Sequence, residues 1–222
     1  MMQIRAEQIK KEFYRKSKGT NIFAAVNTCN FTMEEGTLTV IKGRSGGGKS
    51  TLMNMLSGIL QPTEGKILYG DIDIYSMKDK ELSEYRNRHI GYVPQGKSAI
   101  VSLSVIENIM LPEILYGESN EDGAVDLMDR FGITHLRDAM PEELSGGELR
   151  RMAIARALIR KPEVLFADEP TGDLDDENTV IVFEALRKIA NNGTTVLMVT
   201  HENDAEKYAD KIYRMDAGEL SD

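Results

Sequence analysis

Cysteine is nearly absent: Cys29 is the single one in 222 residues. No intramolecular disulfide can form, and a reducing compartment fits the chain without being required by it. Long apolar runs are missing as well; no stretch approaches the ~20 residues that cross a bilayer. The opening residues 1–7 carry no apolar core of the secretory-signal kind. Any attachment to a membrane is therefore expected to pass through a partner. Positive charge is in deficit, with 27 Lys and Arg against 36 Asp and Glu and a net charge of −9. That balance provides no global attraction to nucleic acid or anionic lipid and leaves only local basic patches for such contacts. Internal repeats, low-complexity tracts and disordered linkers are also lacking. What remains, 41% hydrophobic and 28% charged, suits one large globular domain or a domain with an appended lobe.

Glycine, in contrast, is concentrated. The stretch Gly43-Arg44-Ser45-Gly46-Gly47-Gly48-Lys49-Ser50-Thr51 reads G-x-x-x-x-G-K-S. It lies between the apolar run Leu38-Thr39-Val40-Ile41 and the helix-like run Leu52-Met53-Asn54-Met55-Leu56. Strand, glycine turn and helix start together make a phosphate cradle. The glycines let the backbone fold tightly enough to aim successive N–H groups at one anion. The helix beginning near Lys49 adds the positive end of its dipole. Lys49 can reach the outer phosphates, and the Ser50 hydroxyl can hold Mg²⁺. A flexible glycine turn that meets the pattern by accident would not require these flanks.

Taken in order, residues 4–42 read as strands, with a compositional turn at 16–21 and another at Glu34-Glu35-Gly36. After the first helix, residues 61–65 break the chain. Lys66-Ile67-Leu68-Tyr69 and Ile72-Asp73-Ile74 read as short strands about a Gly70-Asp71 turn. Residues 78–88 suit an exposed helix, and Ile90-Gly91-Tyr92-Val93 a buried strand stopped by Pro94. Residues 96 to about 160 change character and show no strand pattern. Ser104 with Glu107 forms a capping box for a helix through Leu111; residues 121–131 and 145–159 give two more helices. From Val164 the alternation resumes: strand, helix through Ile189, strand 195–200, a short helix near Ala205 and a last strand at Ile212-Tyr213-Arg214-Met215. Alternating β and α predicts an α/β fold with a mainly parallel sheet, helices on both faces and an inserted helical lobe.

Two later segments bear on chemistry. Val164-Leu165-Phe166-Ala167-Asp168-Glu169 is an apolar strand ending in two carboxylates, at the end of a parallel sheet where ligands bind. Asp168 can orient Mg²⁺ or its water ligands, and Glu169 can face the γ-phosphate and polarise an attacking water. The alternative, an acidic helix cap, loses ground beside a phosphate loop. Leu144-Ser145-Gly146-Gly147-Glu148 precedes a helix and makes a second anion-ready N-terminus. Ser145 with Glu148 also reads as a capping box, and both readings can hold together.

These residues resemble the nucleotide-binding subunit of ATP-binding cassette (ABC) transporters over nearly the whole chain. The motifs stand in the family's order: a Walker A loop at 43–51, Gln95 after a strand, the signature at 144–148, a Walker B strand at 164–169 and His201 after the next strand. The signature is the specific element, since other phosphate-loop ATPases lack it. Pro170-Thr171-Gly172-Asp173-Leu174-Asp175 and Glu107-Asn108-Ile109-Met110-Leu111-Pro112 resemble the lipoprotein-release, cell-division and macrolide-exporter branch. The resemblance implies a phosphate-loop α/β fold with an N-terminal antiparallel β subdomain and a helical subdomain. It divides the single domain 1–222 into a core of about 1–95 and 161–222 and a signature-bearing part of about 96–160. It implies an ATPase that closes as a head-to-tail homodimer on ATP. The partner would be a membrane permease with few transmembrane helices, at the cytoplasmic face of the cell membrane. The work would be export, lipid or peptide extraction, or mechanical signalling, with cargo specificity in the permease. The end at Asp222 fits either a separate subunit or one half of a fused ATPase–permease.

Roles implied by the resemblance follow. Gly43, Arg44, Ser45, Gly46, Gly47, Gly48, Lys49, Ser50 and Thr51 bind the phosphates of ATP. Ser50 and Gln95 hold Mg²⁺, and Asp168 supports it through water. Glu169 is the general base or water-polarising group, Lys49 steadies the outer phosphates, and His201 contacts the γ-phosphate. Ser145, Gly146 and Gly147 bind the γ-phosphate of ATP held by the other subunit, and Asp175 lies at the dimer seam. An aromatic upstream stacks on adenine, Phe13 before Tyr14. The loop after Gln95 departs from its relatives, reading Gly-Lys-Ser-Ala where a bulky residue is common. Arg150 and Arg151 suit a solvated helix face as well as a phosphate contact. The rival functions are a soluble ABC-type ATPase acting on ribosomes or DNA, opposed by the single cassette and net charge, and an ATP-operated regulatory switch, opposed by Lys49, Glu169 and His201.

Overall fold

The computed structural model describes residues 3–17 and 19–222. Two long strands open the chain: β1 (Ile4–Ser17) and β2 (Gly19–Met33). They pair antiparallel with Ile4 facing Met33 and Phe13 facing Phe23. The turn expected at 16–21 is tighter than its composition suggested, because Ser17 already faces Gly19; Lys18 lies outside the described residues. Strands β4 (Glu64–Tyr69) and β5 (Ile72–Asp73) complete this sheet in the order β2-β1-β4-β5.

The second sheet contains β3 (Leu38–Lys42), β6 (Ile90–Val93), β7 (Val164–Asp168), β8 (Thr195–Thr200), β9 (Lys211–Asp216) and β10 (Glu219–Ser221). Its order is β10-β9-β3-β8-β7-β6. Every pair is parallel except β9–β10. Residues of β7 and β8 are buried throughout, which is why they read as unbroken apolar runs: a parallel strand is covered on both faces. Leu165, Ala167, Val196 and Met198 face a core shared with α3 (Val105–Ile114), α4 (Glu121–Arg130), α5 (Gly146–Leu158) and α6 (Asp176–Asn191). Phe166, Leu197 and Val199 face the other core, with α1 (Lys49–Leu56), α2 (Asp79–His89) and the antiparallel sheet. The fold is therefore mixed α/β, a parallel core with an antiparallel β layer.

Three local expectations shift. Ile74 starts a 3-10 turn capped by Asp73 instead of continuing a strand. Helix α3 runs past Leu111 to Ile114 with Pro112 inside it, and the Pro112 carbonyl accepts a hydrogen bond from Asn87 Nδ2 at 3.0 Å. Strand β10, not foreseen, is a three-residue segment whose Leu220 packs on the core, returned by a two-residue turn in which Ala217 and Gly218 both have positive φ, 46° and 84°. Such turns usually announce themselves with Asn-Gly or Asp-Gly; Ala-Gly does not.

Candidate active site

The chain leaves β3 at Lys42 and enters α1 at Lys49 through the glycine loop. Two glycines there have no substitute. A Cβ on Gly43 would stand 1.9 Å from the Met215 carbonyl oxygen, and one on Gly48 would stand 2.3 Å from that of Ala25. The loop is thus wedged between β9 and β2, and the backbone amide of Gly218 donates to the Gly47 carbonyl at 2.9 Å. Gly48 has φ 105° and is the N-cap of α1, with no side-chain cap. The first-turn N–H groups of a helix have no partners within it, and here no side chain supplies the N-cap bond. That is an anion site by construction.

These amides open onto a cavity of about 360 Å³. Ser45, Gly46, Gly48, Lys49, Ser50 and Thr51 line one end, with Gln95 and Glu169. The other end is apolar, walled by Phe13, Phe23, Ala24, Ala25, Ala217 and Gly218. The Phe13 and Phe23 rings stack with centroids 5.8 Å apart. Tyr14 is 80% exposed and is not part of this wall. Phe23 escaped the sequence reading because strand register, not composition, sets it opposite Phe13. A separate cavity of about 440 Å³ between α4, α5 and α6 has neither a glycine loop nor a buried carboxylate in its walls.

Lys49 is buried; its Nζ donates to the carbonyls of Gly43 at 2.8 Å and Arg44 at 3.1 Å and lies 3.4 Å from Glu169 Oε1. Glu169 follows β7 directly and has φ 44°. A non-glycine residue in that region costs about 1–3 kcal/mol, and such strain clusters at functional sites. It is held there by its amide donating to the Val199 carbonyl at 2.9 Å. Its Oε2 stands 2.9 Å from His201 Nδ1. Asp168 accepts a hydrogen bond from the Ser50 hydroxyl at 3.1 Å. Burial pushes the Asp168 carboxyl above its ordinary value, and the Ser50 bond opposes the shift. One ammonium, two buried carboxylates, a hydroxyl and a row of amides thus converge on a single cleft, a set suited to phosphoryl transfer by positioning and charge.

The signature residues stand elsewhere. Ser145 caps α5, its hydroxyl donating to Glu148 Oε2 at 2.7 Å while the Glu148 amide returns to Ser145 Oγ at 3.4 Å. None of Ser145, Gly146 and Gly147 lines the phosphate-loop cavity. Asp175 caps α6, accepting from the Asn178 amide at 2.8 Å. Of the two readings left open for Arg150 and Arg151, a solvated face and a phosphate contact, the solvated face does not hold for Arg150, and Arg151 is half-buried. Arg150 is buried and donates to the Pro94 carbonyl at 2.9 Å, and Arg151 donates to Asn178 Oδ1 at 3.2 Å. Positive charge reads as surface from sequence alone; the carbonyl and amide acceptors that make burial tolerable come from remote segments.

Fold and cleft together define an ATP-hydrolysing phosphate-loop cassette. The chain belongs to the ABC transporter family, whose profile matches residues 26–172. It is similar to the lipoprotein-releasing system ATP-binding protein LolD of Aquifex aeolicus, with 38% identity over 98% of this chain and 95% of that one. LolD of Colwellia psychrerythraea is 33% identical over 96% of this chain and 83% of its own length. The macrolide export ATP-binding/permease protein MacB of Campylobacter fetus is 36% identical over 98% of this chain, which spans only 34% of that larger protein. Among solved structures, the dimeric post-hydrolysis cassette MJ0796 bound to ADP and Pi superposes with a TM-score of 0.89, 30% identity and coverage of 99% and 97%. The chain binds and hydrolyses ATP as a transporter's ATPase subunit, and the soluble and switch-only alternatives are not favoured. Among the described residues no helix is long and apolar enough to cross a membrane.

Proposed function

We propose that this subunit hydrolyses ATP as a head-to-tail homodimer and thereby drives a membrane permease with few transmembrane helices at the cytoplasmic face of the cell membrane. The observation that carries the dimer is the separation just described. The phosphate loop, Glu169 and Gln95 share one cleft, while Ser145, Gly146 and Gly147 contribute nothing to its walls. A second copy can bring its own α5 to close that cleft, and the MJ0796 cassette has a dimeric structure. The permease assignment rests on the names of the LolD and MacB relatives.

In the proposed reaction, water attacks the γ-phosphorus in line as the bond to the bridging oxygen breaks, giving ADP and phosphate. The 43–51 loop and Lys49 hold the phosphates, and Phe13 stacks on the base. Glu169 orients the water and takes its proton, and His201 fixes Glu169 through their 2.9 Å contact. Mg²⁺ fits the donors present: the Ser50 hydroxyl and Asp168 carboxylate are already joined, Gln95 lines the same cavity, and all three offer the oxygen ligands that Mg²⁺ takes. Among the described residues no cluster of three His, Cys, Asp or Glu side chains suits a metal. When bound, Mg²⁺ would neutralise charge on the outer phosphates. In this reading residues 1–95 and 161–222 form the ATP-binding core, and 96–160 carry the signature.

Glu169→Gln tests the assignment. It should retain ATP, lose turnover by about 10²–10⁴-fold and accumulate as a dimer in sedimentation velocity with ATP. Wild-type steady-state hydrolysis in this variant would remove Glu169 from the role.

A further inference from the structure

A buried arginine joins the two halves of the site within one chain. Arg150 lies one turn into α5, on the helix whose N-cap is Ser145. It is 6% exposed, and its Nη1 donates to the carbonyl oxygen of Pro94 at 2.9 Å. Pro94 is bonded to Gln95, so the contact fixes the peptide plane from which the Gln95 side chain projects. Arg150 also lines a small cavity of about 60 Å³ between the 96–99 loop and Gly172, Asp173 and Leu174, the segment leading to Asp175. Burial disfavours its charge, and the carboxylates of Asp173 and Asp168 offset that cost. A guanidinium offers five donors. Pro94 takes one of them, and among the described residues no other protein acceptor is found for the rest.

We propose that Arg150 is a positioning residue that couples the two nucleotides of the dimer: it makes the seat of Gln95, in one ATP site, depend on where α5 has docked in the other. This rests on the composite-site reading above. Ser145, Gly146 and Gly147 at the tip of α5 meet the γ-phosphate held by the second copy. A rigid helix transmits their displacement to Arg150, and Arg150 transmits it to the Pro94–Gln95 peptide. Ligand at one site then changes the competence of the other, which is a coupling free energy in the strict sense.

The test compares Arg150→Met, Arg150→Gln and Arg150→Lys with wild type. It reads nucleotide affinity by equilibrium titration, turnover, the Hill coefficient for ATP and the melting temperature. Arg150→Met should keep nucleotide affinity within about twofold, since it touches no phosphate, and lose at least about tenfold in kcat. Its Hill coefficient should fall from above one to one. Arg150→Lys, which keeps the charge and one donor, should recover part of both. If Arg150→Met does not fold, Arg150→Gln is read in its place. A folded variant with unchanged kcat and Hill coefficient overturns the proposal, as does a parallel loss of affinity and kcat. Placing Arg150→Met in the Glu169→Gln background separates the two readings. A dimer that forms on ATP with or without Arg150 supports the coupling role, whereas failure of Glu169→Gln alone to dimerise sinks the composite site itself.

Discussion

Glycine stands at both helix entries, Gly48 as the N-cap of α1 and Gly146 as the first residue of α5, and in the proposed reading both N-termini aim at phosphate, yet they are finished differently. Helix α1 starts at a left-handed Gly48 with no side-chain cap. Its entry is wedged between the Met215 and Ala25 carbonyls, and Lys49 is buried beside Glu169. Helix α5 starts at Ser145, which already has a partner in Glu148. The first terminus is rigid and leaves its donors for a ligand. The second is capped by its own Ser145–Glu148 pair. In the proposed dimer the contrast divides labour: the α1 end would bind nucleotide unaided, and the α5 end would act only when a second copy presents a phosphate to it.

Substitutions can break that contrast in order of effect. After the Glu169→Gln block on turnover, Lys49→Ala should weaken ATP binding by about 10–100-fold through loss of charge-assisted bonds, measured by equilibrium titration on dilute protein. Ser145→Ala should leave that dilute-protein affinity unchanged, reduce turnover at high protein concentration, and cost about 1 kcal/mol of stability as the cap is lost. Equal loss of affinity in the two variants would mean that both termini belong to one chain's site. The smallest effect is acidic. Bonds from the Ser145 hydroxyl and amide hold the Glu148 carboxyl below its ordinary value of 4.5. A lowered carboxyl pKa adds stability above its unfolded value, and that contribution disappears as pH falls through the folded value. Amide exchange in the first turn of α5 should therefore quicken below about pH 4, with no matching step in α1.

Much of this was legible in residues 43–51 and 164–169, because a phosphate loop and a strand ending in carboxylates carry their geometry locally. The parallel sheet was legible too, since strands covered on both faces must be apolar throughout. The rest depends on contacts that sequence order hides. Phe23 joins the cavity wall only through its register with Phe13. The support of the glycine loop by Gly218 depends on an Ala-Gly turn without the usual signal. The burial of Arg150 was not legible because its acceptor, Pro94, is 56 residues away in the chain. Local motifs revealed the chemistry; the parts that aim it come from remote segments.

The division of one site between two chains is tested most directly by dilution. Steady-state hydrolysis per subunit is followed across a protein concentration series, with sedimentation giving the association state and titration the nucleotide bound per chain. The account predicts constant nucleotide binding per chain while turnover per subunit rises with concentration and levels off where the dimer saturates. Turnover per subunit that stays flat where sedimentation finds only monomer would contradict it.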